Sequence, residues 1–172
     1  PTVLFLYGGS WKRGPREKYA FVGNALALKG FVVAVADYRT YPDVQFPAFV
    51  EDAAHAVRWL SENAEKHGGT NNSLHLMGHS AGAHIVAMLA LNTAYLEGAG
   101  VSRNVLGRWV GLAGPYAFTP SETRSVRDIF ANVTDDAARP IVFADEKAPA
   151  ALLLHGGDDS TVYPENSQQL AD

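Results

Sequence analysis

The sequence contains no cysteine, which excludes disulfide bonds, a thiol nucleophile and thiolate metal sites. It has no run of roughly 18 apolar residues, so no segment is predicted to span a membrane. Charged side chains make up 19% of the 172 residues and the formal net charge is −4, which excludes a basic face for nucleic acid. The phosphate-binding, nucleotide-binding and H-E-x-x-H motifs are also missing, so we expect no cofactor and no metal. The compartment stays open, with the cytoplasm favoured, and the oligomeric state is not predicted.

The residues that are present suit one globular domain with many tight loops, because 47% are hydrophobic and the chain contains 16 Gly and 9 Pro. The chain begins at Pro1 directly in an apolar strand and ends at Asp172 inside a helical pattern. Natural termini are usually polar and frayed, so we interpret the sequence as an internal piece of a longer protein. Any signal peptide would then lie upstream of Pro1.

Short apolar runs rich in β-branched residues alternate with helical patterns, which predicts parallel β-α-β units. The predicted strands are 2–7, 31–37, 73–78, 106–112 and 150–155, and the predicted helices lie near 17–29, 47–66 and 81–92. We therefore expect an α/β fold in a single domain over 1–172, with a mostly parallel sheet and helices on both faces. Residues 113–149 are irregular, and an insertion of this kind is where a substrate pocket or a partial lid is built.

Residues 78–82 read Gly-His-Ser-Ala-Gly and lie between an apolar run at 74–77 and a helical pattern at 83–90. A serine with a glycine two residues away on each side, between a strand and a helix, is typical of a nucleophile elbow. The two glycines let strand and helix approach closely, and the sharp turn exposes the Ser80 hydroxyl. The N–H groups that open the helix then face the anion formed during acyl transfer. The pattern predicts Ser80 as a nucleophile.

The first predicted strand ends in a glycine-rich segment, residues 7–11, which reads Tyr-Gly-Gly-Ser-Trp. Glycines just after a strand let main-chain N–H groups turn toward a ligand. Together with a nucleophile elbow, such a loop supplies part of an oxyanion hole, and the residue after the nucleophile supplies the rest. The predicted donors are the N–H groups of Gly9, Ser10 and Ala81. By itself the loop also fits an ordinary tight turn.

The last predicted strand runs into residues 155–159, His-Gly-Gly-Asp-Asp. A carboxylate on the loop after a strand, later in the chain than the serine, suits the acid of a catalytic triad. Such an acid fixes the tautomer of the catalytic histidine and stabilises its charged form. Asp158 and Asp159 compete for this role, and we favour Asp159 from the G-x-x-D-x-x-V spacing that ends at Val162. The alternative is that both residues form a turn or a weak cation site.

An ordered set of short motifs extends over nearly the whole chain, at residues 8–11, 37–39, 46–48, 51–52, 58–60, 78–82 and 155–159. The set resembles the carboxylesterase group of α/β-hydrolases, which includes hormone-sensitive-lipase-type esterases, kynurenine formamidase and acetyl-xylan/feruloyl esterases. The resemblance implies an α/β-hydrolase fold that is incomplete at both ends, and a serine hydrolase that cleaves small esters through an acyl-enzyme. It also implies the same roles for the residues already singled out: Ser80, Asp159, Gly9, Ser10 and Ala81.

Two departures from that family concern the first loop and the catalytic base. Tyr7 stands where the family usually has histidine, and no histidine follows Asp159, where the family carries its base. We interpret the six histidines present as core, capping or surface residues; His79, for example, is expected on the opposite side of its strand from the nucleophile, under the turn. We therefore expect the base beyond residue 172, and the 172-residue piece to be nearly inactive by itself.

Two other functions stay open: an arylformamidase-type amide hydrolase, which uses identical machinery, and a non-catalytic binding module of the same fold. A small molecule is the expected partner of the enzyme, with no nucleic acid involved. Arg39 is expected to tie loops together rather than to bind a substrate carboxylate. Trp11, Tyr116 and Phe118 fit an acyl pocket and ordinary packing equally well.

Overall fold

The computed structural model describes residues 1–172 and is built on one five-stranded sheet. The strands are β1 (Thr2–Leu6), β2 (Val32–Ala36), β3 (Leu74–His79), β4 (Leu106–Leu112) and β5 (Ala151–Leu154). Their order is β2-β1-β3-β4-β5 and every pair is parallel. Each strand coincides with a predicted one to within a residue or two. Because the strands are parallel, the carboxyl ends of β1, β3 and β5 lie at the same edge of the sheet, which is where the three motif-bearing loops begin.

Five α-helices accompany the sheet: α1 (Ala20–Ala27), α2 (Ala48–Asn63), α3 (Ala81–Leu91), α4 (Thr93–Gly98) and α5 (Glu165–Ala171). Short 3-10 turns occur at Arg16–Tyr19, Ala64–His67, Arg103–Val105, Arg127–Ile129, Asp136–Ala138 and Pro140–Phe143. The sequence pattern did not predict α4 as a separate helix. Asn92 separates α3 from α4, and its side chain caps α4 by accepting the Ala94 N–H at 3.2 Å. None of the helices has the length and apolar content that crossing a membrane requires.

Helices cover both faces of the sheet. On one face, Leu26 of α1 shares an apolar cavity with Val3 and Met77. On the other face α2 and α3 pack together against the central strands. The amphipathic α2 buries one stripe, which includes Phe49, Val57 and other apolar residues, whereas α3 is apolar all round and every one of its residues is buried. The helix that follows Ser80 is therefore the centre of the core.

The irregular segment 113–149 packs onto the body of the domain. Tyr116, Ile129 and Ala138 within it are 0% exposed. Main-chain groups fasten it: the Phe46 N–H donates to the Ile129 carbonyl at 3.0 Å, and the Lys12 ammonium donates to the Ser125 carbonyl at 2.6 Å. This segment is thus a fixed wall beside the carboxyl edge of the sheet.

Candidate active site

Ser80 lies at the junction between β3 and α3, with φ 52° and ψ −119°. A positive φ is strained for a residue with a side chain, and such strain persists only where the surroundings enforce it. Here the Ser80 N–H donates to the Leu112 carbonyl at 2.8 Å, and the Ser80 carbonyl accepts the His84 N–H at 3.1 Å. The serine hydroxyl makes no hydrogen bond within the protein. The main chain is therefore fixed and the hydroxyl is free, which is the geometry that a nucleophile elbow requires.

Two glycines allow this turn by closing the space between strand and helix. A Cβ at Gly78 would collide with the main chain of Gly82, and a Cβ at Gly82 would collide with the Leu6 carbonyl. Neither obstacle is the flexible end of a side chain, so no rotamer change could relieve the contact. The flanking glycines are thus required by the packing of β1, β3 and the start of α3.

The loop after β1 passes directly over the elbow. A Cβ at Gly8 would lie 2.9 Å from the Ser80 Cβ. The next residues turn the chain through positive φ values of 150° at Gly9 and 55° at Ser10. The N–H groups of Gly9 and Ser10 donate to no acceptor in the protein. Ala81 opens α3, so its N–H lies in the first turn, where the helix itself offers no acceptor.

Tyr7, at the base of this loop, is 1% exposed and its hydroxyl donates to Asp37 at 2.8 Å. Burial and the neighbouring Asp37 carboxylate raise the pKa of Tyr7, so the phenol remains a donor. The ring lies between two others, 5.3 Å from Tyr19 and 5.0 Å from Tyr38, centroid to centroid. The Tyr38 hydroxyl donates to the Tyr7 carbonyl at 2.8 Å. A buried phenol anchors the loop in the place of the family's usual histidine.

A cavity of about 200 Å³ opens in front of Ser80. Ser10 and Trp11 of the β1 loop border it beside Ser80, and Thr161 and Val162 border it from the loop after β5. The remaining wall comes largely from segment 113–149 through Pro115, Phe118, Thr123, Ser125 and Val126, with Tyr163 and Asn166 completing the lining. The structure therefore brings the β1 loop, the elbow and the β5 loop together around one small space.

Asp159 lies on the β5 loop with one carboxylate oxygen fixed and the other free. Oδ1 accepts the Thr161 N–H at 2.9 Å and the Val162 N–H at 3.0 Å, whereas Oδ2 accepts no hydrogen bond. The bonds from Val162 and Thr161 lower the pKa of Asp159, so the group is ionised at neutral pH. Asp158 is exposed and accepts no hydrogen bond. Of the two candidate acids, only Asp159 is held in a defined orientation.

No ring nitrogen of the six histidines hydrogen-bonds to the Ser80 hydroxyl. His84 is fully buried, and its Nε2 donates to the Ala138 carbonyl at 2.8 Å while burial lowers its pKa to about 4. His79 follows Gly78 on the face opposite α3 and stays accessible to solvent. Partial burial of the ring lowers its pKa, and the Asp159 carboxylate partly offsets this lowering. His75 lies in β3, and His55 and His67 are exposed. His155 directly follows β5, and its side chain is nearly buried.

The other residues singled out from the sequence differ in whether they line the cavity. The Arg39 guanidinium makes a two-pronged bond with Asp52, at 2.7 Å and 2.9 Å, and so ties the loop after β2 to α2. Trp11 and Phe118 both line the cavity and stack with ring centroids 5.8 Å apart. Tyr116 packs inside against Trp109 and does not reach the cavity.

Two residues that hold the carboxyl edge of the sheet together, Asn166 and Ser167, belong to no motif in the sequence. The Asn166 side chain accepts the Ala117 N–H at 2.9 Å, which joins α5 to segment 113–149. The Ser167 hydroxyl lies 2.7 Å from Nδ1 of His155. Polar residues at the start of a helix normally face water, so only the position of α5 against the sheet edge could have identified them.

The BD-FAE family model matches residues 1–105. The chain is 32% identical over 183 residues to a probable isoprenylcysteine alpha-carbonyl methylesterase of Oryza sativa subsp. japonica, covering 94% of this chain and 44% of that protein. It is 30% identical over 196 residues to the esterase LipC of Mycobacterium tuberculosis, covering 100% of this chain and 47% of that protein. The chain thus spans about half the length of these curated relatives.

Solved structures of esterases share this fold. The apo form of Thermogutta terrifontis esterase 2 superposes with a TM-score of 0.86 at 22% identity, covering 99% of this chain and 65% of that one. A truncated form of a carbohydrate esterase from gut microbiota superposes with a TM-score of 0.83 at 20% identity, covering 99% of this chain and 71% of that one. The expected fold, an α/β-hydrolase sheet with helices on both faces, is confirmed.

Proposed function

Because this chain belongs to the BD-FAE family of α/β-hydrolase carboxylesterases, we propose that it performs ester hydrolysis with Ser80 as the nucleophile. The observation that carries this proposal is the strained elbow, which leaves the Ser80 hydroxyl unbonded at the mouth of a small cavity. In the first step the hydroxyl oxygen attacks the ester carbonyl, and the alcohol leaves. The resulting acyl-enzyme is then hydrolysed by water.

The N–H groups of Gly9, Ser10 and Ala81 are the proposed donors to the oxyanion. Their placement supports this, because the β1 loop lies over the elbow and its two N–H groups have no partner in the protein. Donors that are fixed before the reaction stabilise the developing charge at no reorganisation cost, and the loss of one typically costs about 10²–10³ in turnover. The N-terminal end of α3 adds its partial positive charge.

Asp159 is the proposed triad acid, in preference to Asp158. It is ionised, oriented by two main-chain N–H groups, and retains one unbonded oxygen that can accept the N–H of an imidazole. The proton of Ser80 must pass to a base, and none of the six histidines contacts that hydroxyl. A test of the chemistry in this chain therefore has to supply the base from solution.

Small substrates suit the cavity, whose volume of about 200 Å³ leaves room for a short acyl group against Trp11 and Phe118. The relatives named above are esterases, which favours an ester over the amide of an arylformamidase-type reaction. Paired ester and formamide substrates with the same aryl group test that preference, and faster cleavage of the formamide would contradict it.

The decisive experiment supplies p-nitrophenyl acetate together with imidazole as an external base. We expect acetylation of Ser80, seen by peptide mass spectrometry, and p-nitrophenolate release above that of Ser80→Ala. Asp159→Asn should lower this Ser80-dependent rate by at least about tenfold, because the acid no longer stabilises the charged imidazole. Asp158→Asn is the matched control and should react like the wild type.

Equal release by the wild type and Ser80→Ala, with no acetyl group on Ser80, would contradict the proposal. That result would favour the remaining candidate, a non-catalytic binding module of the same fold. Ligand-induced stabilisation by ester analogues, unaffected by Ser80→Ala, would then be expected.

A further inference from the structure

A chain of hydrogen bonds runs from α5 to the acid loop and ends on Asp159. The Ser167 Oγ lies 2.7 Å from His155 Nδ1, and His155 Nε2 lies 2.8 Å from the Val162 carbonyl oxygen. The N–H of the same residue, Val162, donates to Asp159 Oδ1 at 3.0 Å. The main chain of a single residue, Val162, thus connects the histidine ring to the carboxylate through its N, Cα, C and O atoms, which belong to two consecutive peptide units.

The chemistry of the partners fixes where the protons lie. A carbonyl oxygen can only accept, so the proton of a neutral His155 ring must be on Nε2 to bond Val162. Nδ1 then carries the lone pair, and the Ser167 hydroxyl must donate to it. The order of donation is Ser167 to His155, then His155 to Val162, then Val162 to Asp159.

The burial and bonding of the His155 ring allow it to maintain this order of hydrogen bonds. Its side chain is 6% exposed at the end of β5, and both ring nitrogens are used. Its Nε2 is 3.6 Å from Asp159 Oδ2, which is beyond a hydrogen bond because the Nε2 proton is committed to Val162. The ring therefore approaches the carboxylate without occupying its free oxygen.

We propose that His155 is a positioning residue: held as the Nε2–H tautomer by Ser167, it aims the Val162 N–H at Asp159 Oδ1 and leaves Oδ2 free for the catalytic imidazole. Only the last clause rests on the proposed function; the orientation of the carboxylate does not. Without the ring, the loop between Gly156 and Val162 would lose its side-chain tie to α5. The hydrogen bonds that keep Asp159 acidic would then weaken.

The first test needs no substitution and no substrate. ¹⁵N NMR of the His155 ring in the 172-residue protein at neutral pH should show a neutral ring with the proton on Nε2. A proton on Nδ1, or a charged ring, would overturn the proposal. Ser167→Ala should mix the two tautomers, because the hydroxyl that selects one of them is gone.

The second test follows the Asp159 carboxyl carbon by ¹³C NMR titration. In His155→Phe we expect the Asp159 titration to move to higher pH, whereas His155→Gln should restore it, since the amide can donate to Val162 and accept from Ser167. Asp158, which makes no hydrogen bond, is the control residue, and its carboxyl signal should be the same in all variants. An Asp159 titration unchanged in a folded His155→Phe would overturn the proposal.

These readouts separate the two proposals. If Ser80 is not acetylated but the NMR results are as expected, the hydrogen-bond chain stands and the triad role of Asp159 fails. If Ser80 is acetylated and His155→Phe lowers the imidazole-dependent rate with little change in KM, while His155→Gln restores it, both stand. A rate equal to the wild type in His155→Phe would count against the positioning role.

Discussion

The two sides of the cavity are built by different means. The serine side, residues 7–11 and 78–82, is set in the core, because Tyr7 and every residue of α3 are buried. The acid side, residues 155–162, follows an edge strand on which Leu152 is 53% and Leu154 is 51% exposed. The hydrogen bond that the His155 ring donates and the one that the Asp159 carboxylate accepts order this loop. In this structure Ser80 is therefore positioned by packing and Asp159 by polar contacts.

The glycines on the two sides of the cavity show the same difference between close packing and open space. On the serine side a Cβ on Gly78 or Gly82 would strike main-chain atoms, whereas Gly156 and Gly157 on the acid side have no atom within 4 Å of a Cβ. The same residue type permits close packing on one side and merely lengthens a turn on the other. Substitutions should consequently affect folding on the serine side and local geometry on the acid side.

The largest effect on the free energy of unfolding should come from replacing a glycine on the serine side with alanine. Gly82→Ala should lower the free energy of unfolding by at least about 3 kcal/mol, because the new methyl group meets the Leu6 carbonyl and only backbone movement can relieve it. Gly157→Ala, its matched control, should change the free energy by less than about 0.5 kcal/mol. Urea unfolding measures both, and equal effects would remove the contrast between the two sides.

A smaller effect should appear in how the stability of the protein depends on pH, through His84 on the serine side. Burial lowers the pKa of His84 to about 4 in the folded protein, from 6.5 when exposed. Between these values only the unfolded chain takes up the proton, so stability should fall as pH is lowered from 6.5 to 4, by up to about 3 kcal/mol. His84→Gln keeps a donor for the Ala138 carbonyl and should remove this contribution.

His55→Gln is the control for that titration, because His55 is exposed on α2. Thermal unfolding at several pH values compares the two variants with the wild type. The stability curve of His55→Gln should run parallel to that of the wild type, and a His84→Gln curve that also runs parallel would mean that His84 does not carry the effect.

The smallest expected difference in the free energy of unfolding is between two tyrosine-to-phenylalanine substitutions. Tyr7→Phe removes the hydroxyl that donates to Asp37 and should cost about 1.5 kcal/mol, since the acceptor is a carboxylate. Tyr163→Phe, at the residue that follows the acid side, should be neutral because Tyr163 is 64% exposed and its hydroxyl makes no hydrogen bond. Chemical denaturation that finds Tyr163 the more costly position would reverse the comparison.

The strands and most helices could be predicted from the sequence, because apolar runs and periodic apolar stripes mark the residues that become buried. The elbow at Ser80 was predictable for a similar reason, since its glycines are adjacent in sequence to the residue they serve. The helix α4 was missed because its 6 residues are too few to show a periodic apolar stripe beyond the predicted end at residue 92, and only the Asn92 cap marks its start. The contacts of Ser167 and Asn166 were missed because their partners lie 12 and 49 residues away in the sequence. Such pairings exist only once the strands are assembled.

The attachment of segment 113–149 by its main chain has a consequence for how this scaffold could diversify. Beside its buried side chains, the segment is anchored through the carbonyl groups of Ser125, Asp128 and Ile129, which every amino acid possesses. Of the side chains that this segment turns toward the cavity, Val126 belongs to the buried core and Thr123 donates to the Thr119 carbonyl, whereas the exposed Ser125 side chain makes no hydrogen bond and is not needed to keep the wall in place. The side chain at position 125 can therefore change in size and polarity while the wall stays attached, so the shape of the cavity in front of Ser80 can change at little cost in stability.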